Sequence, residues 1–174
     1  MRRSIVKVAT AIVLLLAACG SPSGDGAGER LPDVPIERLD GSATISLSDI
    51  RGPAVVNLWA TWCAPCRREI PDFEAVHRAR GDEVAFVGIN IGEDAERASE
   101  FLDGIGVSYD QFLDDRGEVV TALRTTAMPV TIVVGSDGRV STRHLGPMDQ
   151  DDLNRAIDRA IADTDTGSAI VDRG

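Results

Sequence analysis

The sequence predicts an α/β protein in which helices flank a central mixed β-sheet, and three observations support this fold class. Nearly continuous apolar runs, typical of strands buried on both faces, occur at residues 54–59, 84–91 and 129–134. Segments with helical spacing lie between these runs. The alternating segment 139–145 follows the third run across a tight Ser-Asp-Gly turn, as the second strand of a hairpin would.

The folded part begins with a hairpin, a buried strand and a helix. Residues 40–52 combine weak alternation with turn residues, which predicts a short N-terminal β-hairpin before the buried strand. Three apolar residues at spacing three then predict a helix: Ile70, Phe73 and Val76. We expect Pro71 to kink this helix, because proline removes a backbone hydrogen bond and its ring crowds the preceding turn.

The later helices alternate with the strands. Residues Ala95 to Leu102 form one candidate, and Glu118 to Arg124 form a shorter one. The last helix has the clearest pattern, since five apolar residues follow the i, i+3, i+4, i+7, i+8 spacing of a single stripe: Leu153, Ala156, Ile157, Ala160 and Ile161. This order of elements predicts helices packed on a mixed sheet.

Length and charge limit the possible functions. A chain of 174 residues that is 43% hydrophobic is sufficient for one domain with one core. The net charge of −10 argues against nucleic-acid binding, which requires a basic patch or stripe. We place the folded domain at residues 31–163 and expect a loose C-terminal tail at residues 164–174.

Residues 1–18 have the features of a secretory signal peptide: a basic start, an apolar run too short to span a bilayer, and small residues at the end. The Leu-Ala-Ala-Cys-Gly stretch at residues 16–20 resembles the lipobox of bacterial lipoproteins, which implies that Cys19 is lipidated. An ordinary signal peptide with a chance cysteine is the alternative. Residues 19–30 would then be the lipidated cysteine and a flexible Gly/Ser/Pro-rich tether. We therefore expect a lipid-anchored protein on the extracytoplasmic face of the cell membrane.

Two further cysteines, Cys63 and Cys66, lie where the first buried run gives way to charged residues. In an oxidising compartment such a pair is a redox centre or a structural disulfide. A structural disulfide over so short a loop constrains the unfolded chain little. A zinc site would need a second ligand pair, for which only His77, His144 and scattered carboxylates are present. A redox pair is the better interpretation, with no metal or other cofactor.

The position of Cys63 supports redox chemistry, because a strand ends and a helix begins there. The free N–H groups and dipole of a helix start stabilise a thiolate, the attacking form of cysteine. Pro65 suits a first helical turn, where its missing N–H is not needed. Cys66, one turn further, would be more buried and would resolve a mixed disulfide. Glu69 lies on the same helix face and could exchange a proton with Cys66; a solvated surface glutamate is the alternative.

With these residues in place, the chain resembles proteins of the thioredoxin fold, and more narrowly the membrane-tethered TlpA/ResA-like thiol–disulfide oxidoreductases. The resemblance covers roughly residues 31–163. It rests on LSDIRGPAVVNLWATWCAPCRREIP, on TTAMPVTIVVGSDGRV and on the order of strands and helices. It implies a thioredoxin fold, with a central mixed sheet flanked by helices and an N-terminal β-hairpin extension.

The resemblance also implies roles for individual residues. Cys63 would be the nucleophile and Cys66 the resolving thiol, while Pro129 matches the cis-proline that faces the disulfide. Glu69 matches the acid that this branch carries after its second cysteine. The residues that would contact the substrate are Trp62, Ala64, Pro65 and Met128.

The chain departs from cytosolic thioredoxins at Asn57, where those proteins carry a buried acid in the strand before the motif. An amide cannot shuttle a proton as a carboxylate can. This departure places more weight on Glu69 as the proton carrier.

The leading hypothesis is an extracytoplasmic oxidoreductase that exchanges disulfides with cysteine-containing exported proteins, apocytochrome c among them, and is recycled by a membrane redox partner. Either direction of electron flow is compatible with the motif. A thiol peroxidase is one alternative, since peroxiredoxins share the general fold but lack the Trp and the C-x-x-C partner. A copper-binding or copper-delivery lipoprotein is another, with His144 as a third ligand, although its cysteines are usually three residues apart.

Overall fold

The computed structural model describes the backbone of residues 28–168 and the side chains as far as residue 162. The predicted signal peptide, Cys19 and most of the predicted tether lie outside the described residues. The strands are β1 (Pro35–Arg38), β2 (Thr44–Ser46), β3 (Ala54–Trp59), β4 (Ala85–Ile91), β5 (Asp110–Asp114), β6 (Val130–Val134) and β7 (Val140–Leu145). The α-helices are α1 (Ala64–Arg80), α2 (Ala95–Ile105), α3 (Glu118–Ala122) and α4 (Gln150–Ser168), and a 3₁₀ turn spans Leu47–Asp49.

The seven strands form one sheet in the order β2-β1-β5-β4-β3-β6-β7. Strand β4 pairs in parallel with both β3 and β5, whereas the other four pairings are antiparallel. The N-terminal hairpin of β1 and β2 extends the sheet at one edge, and β7 is the strand at the other edge. The predicted mixed sheet, its flanking helices and the N-terminal hairpin are therefore confirmed.

Strand β3 separates the two layers of the core, since all six of its residues are buried. Val56 and Leu58 belong to the core cluster that includes side chains of α3 and of the N-terminal segment. Val55 belongs to the cluster formed with α1 and α4. Trp59, at the end of the strand, packs with residues of α1 and α2. The end of β3 is thus held from both faces, and the two cysteines follow it directly.

Backbone contacts and helix α4 extend beyond residues 31 and 163, and α1 contains a proline. The backbone N–H of Gly28 donates to Val140 O, and Val140 N–H donates to Glu29 O, both at 2.7 Å, so the ordered contacts begin before residue 31. Helix α4 continues to Ser168, beyond residue 163. Helix α1 continues through Pro71, with buried residues on both sides of the proline.

Strand β5 was not predicted from the sequence. Its five residues, Asp-Gln-Phe-Leu-Asp, carry an acid at each end and bury only Phe112 and Asp114. Its neighbours hold it in the sheet. All five residues of β5 pair with β4, and Arg38 of β1 donates to Asp110 at 2.6 Å. None of the helices within residues 28–168 is long and apolar enough to cross a bilayer.

Candidate active site

Cys63 and Cys66 form a disulfide at the junction of β3 and α1. The chain leaves β3 at Trp59 and turns, with the Cys63 N–H donating to Ala60 O at 3.2 Å. Cys63 is the N-cap of α1: its Sγ accepts the backbone N–H of Cys66 at 3.3 Å, and its carbonyl accepts that of Arg67 at 3.1 Å. A sulfur at this position lies against the free N–H groups and the positive end of the helix dipole.

The two sulfurs differ in access to solvent. Cys63 retains 5% of its exposure, whereas Cys66 is fully buried. Trp62, directly before the pair, is 62% exposed, and Ala64 is also exposed, while Pro65 is half-buried in the first turn of α1. An incoming sulfur can therefore approach Cys63 but not Cys66.

A proline-led strand lies beside the disulfide. The Met128–Pro129 peptide bond is cis, as the resemblance implied, and Pro129 directly precedes β6. Met128 packs against the cluster of buried residues that contains both cysteines. The Pro129 carbonyl accepts the N–H of Gly146 at 2.9 Å, which ties this loop to the end of β7.

Glu69, three residues after Cys66 on α1, is buried rather than solvated, at 3% exposure. Its Oε1 accepts the Asn57 amide Nδ2 at 2.9 Å, and its Oε2 accepts the Met148 backbone N–H at 3.0 Å. Burial raises the pKa of Glu69 to about 7, the two hydrogen bonds oppose this rise, and the charge of Asp72 adds to it. The carboxyl therefore gains and loses its proton near neutral pH, one helical turn from Cys66.

Asn57 has a supporting role that the sequence did not reveal. Its Nδ2 lies 2.9 Å from Glu69 and 3.4 Å from Thr131 Oγ1, and its Oδ1 is buried without a hydrogen-bond partner. The Asn57 amide cannot take up or release a proton at neutral pH, but its hydrogen bond holds the Glu69 carboxyl, which can. A hydropathy pattern shows only a polar residue on the buried strand, so the Asn57–Glu69 pair could not be derived from it.

Glu93 is a second residue that sequence reasoning missed. It lies just after β4, and its Oε2 accepts the Thr61 backbone N–H at 2.7 Å and the Asn90 Nδ2 at 2.9 Å. Its Oε1 also accepts the Thr61 hydroxyl. Because Thr61 precedes Trp62 and the nucleophile position, this carboxylate fixes the turn that presents both. The available signal was the parallel pairing of β3 and β4, whose carboxyl ends meet at one edge.

His144 does not join the two cysteines. Its Nε2 lies 3.2 Å from the Pro147 carbonyl, on the edge strand β7. Within the described part of the chain, no three His, Cys, Asp or Glu residues are grouped so that they could hold a metal ion. The third ligand that the copper alternative requires is therefore not brought to the cysteine pair.

The fold and this site together define a thioredoxin-fold thiol–disulfide oxidoreductase. The chain belongs to the AhpC/TSA family, whose model matches residues 27–143. It is 33% identical over 141 residues to the thiol:disulfide interchange protein HelX of Rhodobacter capsulatus, covering 79% of this chain and 78% of HelX. It is 29% identical to the thiol-disulfide oxidoreductase ResA of Geobacillus kaustophilus, covering 86% and 92%. A solved structure of a secreted thiol-disulfide isomerase from Corynebacterium glutamicum superposes with a TM-score of 0.68 at 26% identity, covering 83% and 95%.

The raised pKa of the buried Glu69 carboxyl predicts how the free energy of unfolding depends on pH. The folded protein holds the Glu69 proton more tightly than the unfolded chain, because its pKa rises from 4.5 to about 7 on folding. Its contribution to stability is therefore complete below pH 4.5 and is lost as the pH rises through 7. A shift of this size corresponds to roughly 3 kcal/mol. We expect the unfolding free energy of the wild type to fall by about this amount relative to Glu69→Gln between pH 4.5 and pH 7.5.

Urea unfolding of both proteins across this pH range measures the difference. Glu100→Gln, at an exposed position in the middle of α2, is the matched control and should follow the wild type. If the unfolding free energies of the wild type and Glu69→Gln changed with pH in parallel, Glu69 would not hold a proton more tightly in the folded protein than in the unfolded chain.

Proposed function

We propose that this protein exchanges disulfides with cysteines of exported proteins on the extracytoplasmic side of the membrane, with Cys63 as nucleophile and Cys66 as resolving thiol. The observation that carries the proposal is the asymmetry of the pair: Cys63 is at the helix start with partial access, and Cys66 is sealed one turn below. The predicted signal peptide and the secreted relative from Corynebacterium glutamicum support an extracytoplasmic location.

The reaction follows from this geometry in the reducing direction. The Cys63 thiolate attacks one sulfur of a client disulfide, forming a mixed disulfide and releasing the other client sulfur as a thiolate. The Cys66 thiolate then attacks Cys63 Sγ, which releases the second client sulfur and restores the Cys63–Cys66 disulfide. Two electrons pass from the enzyme to the client. The reverse sequence oxidises a client dithiol, and a membrane redox partner would return the pair to its starting state in either case.

Glu69 supplies the proton step of this proposal. Cys66 must lose its proton before it attacks, yet it is fully buried and cannot transfer it directly to bulk water. Glu69 lies on the same face of α1, and its pKa of about 7 allows it to accept a proton at neutral pH. Asn57 keeps one carboxylate oxygen in place. Glu69 is therefore our candidate base for Cys66, with Asn57 as its positioning residue.

The surface around the disulfide supplies the proposed client contacts. The exposed ring of Trp62, the first turn of α1 at Ala64 and Pro65, and the loop at Met128 and Pro129 surround the approach to Cys63. An extended client segment can contact this apolar surface while its sulfur meets Cys63. The resemblance to TlpA/ResA-like proteins makes apocytochrome c, an exported chain with paired cysteines, our proposed client.

Serine variants of the two cysteines test the order of events. Cys63→Ser lacks the accessible sulfur and should reduce turnover of a protein disulfide, such as insulin with dithiothreitol as electron donor, to the uncatalysed rate. Cys66→Ser retains the nucleophile but cannot resolve, so it should accumulate a mixed disulfide with clients from an extracytoplasmic extract. Non-reducing electrophoresis and mass spectrometry identify the captured chains.

The double variant Cys63→Ser/Cys66→Ser is the control for the capture experiment, since it has neither sulfur. Substantial turnover by Cys63→Ser, or capture of clients through Cys66 in that variant, would reverse the assignment of the two roles.

We also propose that lipidated Cys19 anchors the domain to the membrane, as its lipobox-like context suggests. Two or more acyl chains are sufficient for stable attachment. When the full chain is expressed in a bacterial host, Cys19→Ser should lose incorporation of labelled fatty acid and leave the membrane fraction. Cys63→Ser, which changes a cysteine inside the domain, should remain labelled and membrane-bound. Membrane retention of unlabelled Cys19→Ser would contradict lipid anchoring.

A further inference from the structure

An open groove lies on the face of the sheet opposite α1, away from the disulfide but connected to it along the chain. Its volume is about 780 Å³, within the range of sites that hold ligands or peptide segments. The first wall runs from Ala122, the last residue of α3, to Ala127. The second wall is the edge strand β7, and the third is the N-terminal segment 29–32. The larger aliphatic residues of its lining are Leu31, Leu123, Ile132, Val140 and Leu145.

The groove is basic although the protein is acidic. Three arginines line it, Arg30, Arg124 and Arg143, against one carboxylate, Glu29. None of the three forms an ion pair with another residue of the described structure. The chain as a whole carries a net charge of −10. Guanidinium groups without a carboxylate partner among the described residues create, on such a protein, a local site for an anionic partner.

The backbone at the rim of the groove is strained. Arg124 has a φ of +50°, the one left-handed conformation of a non-glycine residue within the described range. A β-carbon makes this conformation costly, and such residues concentrate at functional sites. The Arg143 guanidinium donates to the Leu123 carbonyl and so holds the turn. The strained turn places the exposed Arg124 side chain at the mouth of the groove.

The groove is linked to the active site along the chain. Its wall residues Thr125 to Ala127 lead directly into the Met128–Pro129 loop. Leu145 lines the groove and pairs with Val130, the residue after Pro129. Among the described residues, the two large hydrophobic side chains with high exposure are Trp62, beside the disulfide, and Leu145, at 58%. An exposed apolar surface therefore begins at each end of the path from Cys63 to the groove.

We propose that this groove binds an extended segment of the client polypeptide in which acidic side chains alternate with apolar ones, while the client sulfur lies at Cys63. The inference rests on the proposed function and adds a determinant of client choice to it. Acidic side chains would pair with Arg124 and Arg143, and apolar ones would contact Leu123 and Leu145. An extended chain suits the site because the groove runs along β7, an edge strand of the sheet.

Two synthetic peptides test the proposal. Both contain the same intramolecular disulfide and the same leucines, but one has Glu and the other Gln at every second position of the flanks on both sides. The second-order rate constant is measured for reduction of each peptide by the pre-reduced protein at low and high salt. We expect the wild type to reduce the Glu peptide about fivefold faster at low salt, the upper end of what one partly exposed ion pair contributes. High salt should bring the ratio of the two rates towards one.

Variants at Arg124 separate charge from structure. In Arg124→Gln the ratio should fall towards one, whereas Arg124→Lys, which retains the charge, should preserve most of it. Arg97→Gln removes an exposed arginine from α2, on the other side of the sheet, and should keep the wild-type ratio. Thermal unfolding of each variant confirms that it is folded. A wild-type ratio of one, or an unchanged ratio in Arg124→Gln, would overturn the groove assignment.

A fluorescent Glu peptide in which serine replaces both cysteines tests binding without chemistry. Fluorescence anisotropy should show a Kd about fivefold weaker for Arg124→Gln than for wild type at low salt. If the wild type reduces neither disulfide peptide, the proposed function fails, and the anisotropy result still decides the groove. If it reduces both at equal rates and the Kd values agree, the groove inference alone fails.

Discussion

The junction between β3 and α1 is the constraint on which the rest of this structure depends. Strand β3 is buried on both faces, and α1 packs against α4, so the chain between them has little freedom to move. Cys63 caps the helix at this junction while its partner lies one turn below in the core. Whichever direction the electrons take, exchange forms a thiolate at the point where free backbone N–H groups and the helix dipole stabilise an anion. Glu93 secures the preceding turn through Thr61, which keeps the sulfur and the Trp62 ring in register with the helix start.

The buried Glu69–Asn57 pair links the stability of the fold to the proposed proton transfer. A carboxyl in the core is costly in its charged form, and two hydrogen bonds offset only part of that cost. The cost that remains raises the pKa of Glu69 to about 7, so the carboxyl can exchange a proton with a neighbour at neutral pH. The same residue therefore weakens the fold at higher pH, and in the proposed reaction it acts as a base at the buried sulfur, which a surface glutamate could not reach.

Much of the architecture could be predicted because long apolar runs and helical stripes are strong local signals. Strands β3, β4 and β6 and the stripe of α4 followed from such patterns, and so did the strand-to-helix position of Cys63. What the sequence did not reveal depends on partners distant in the chain. Strand β5 has two acids among five residues and is defined by pairing with β4 and β1. The Glu93 contacts need β3 and β4 side by side, the burial of Glu69 needs Met148 above it, and the basic groove needs segments near residues 30, 124 and 143 to converge. Helix α1 continues through Pro71, and the kink expected there stays a prediction.

The most direct test of the central claim is the pH dependence of alkylation of the reduced protein by iodoacetamide, resolved for each cysteine by peptide mapping. Only the thiolate reacts, so the rate reports how much of each sulfur is ionised and accessible. We expect Cys63 to react first, with a rate that rises at lower pH than that of glutathione measured alongside, while Cys66 remains protected until the protein is unfolded. Equal labelling of the two cysteines, or a Cys63 profile that coincides with glutathione, would contradict it.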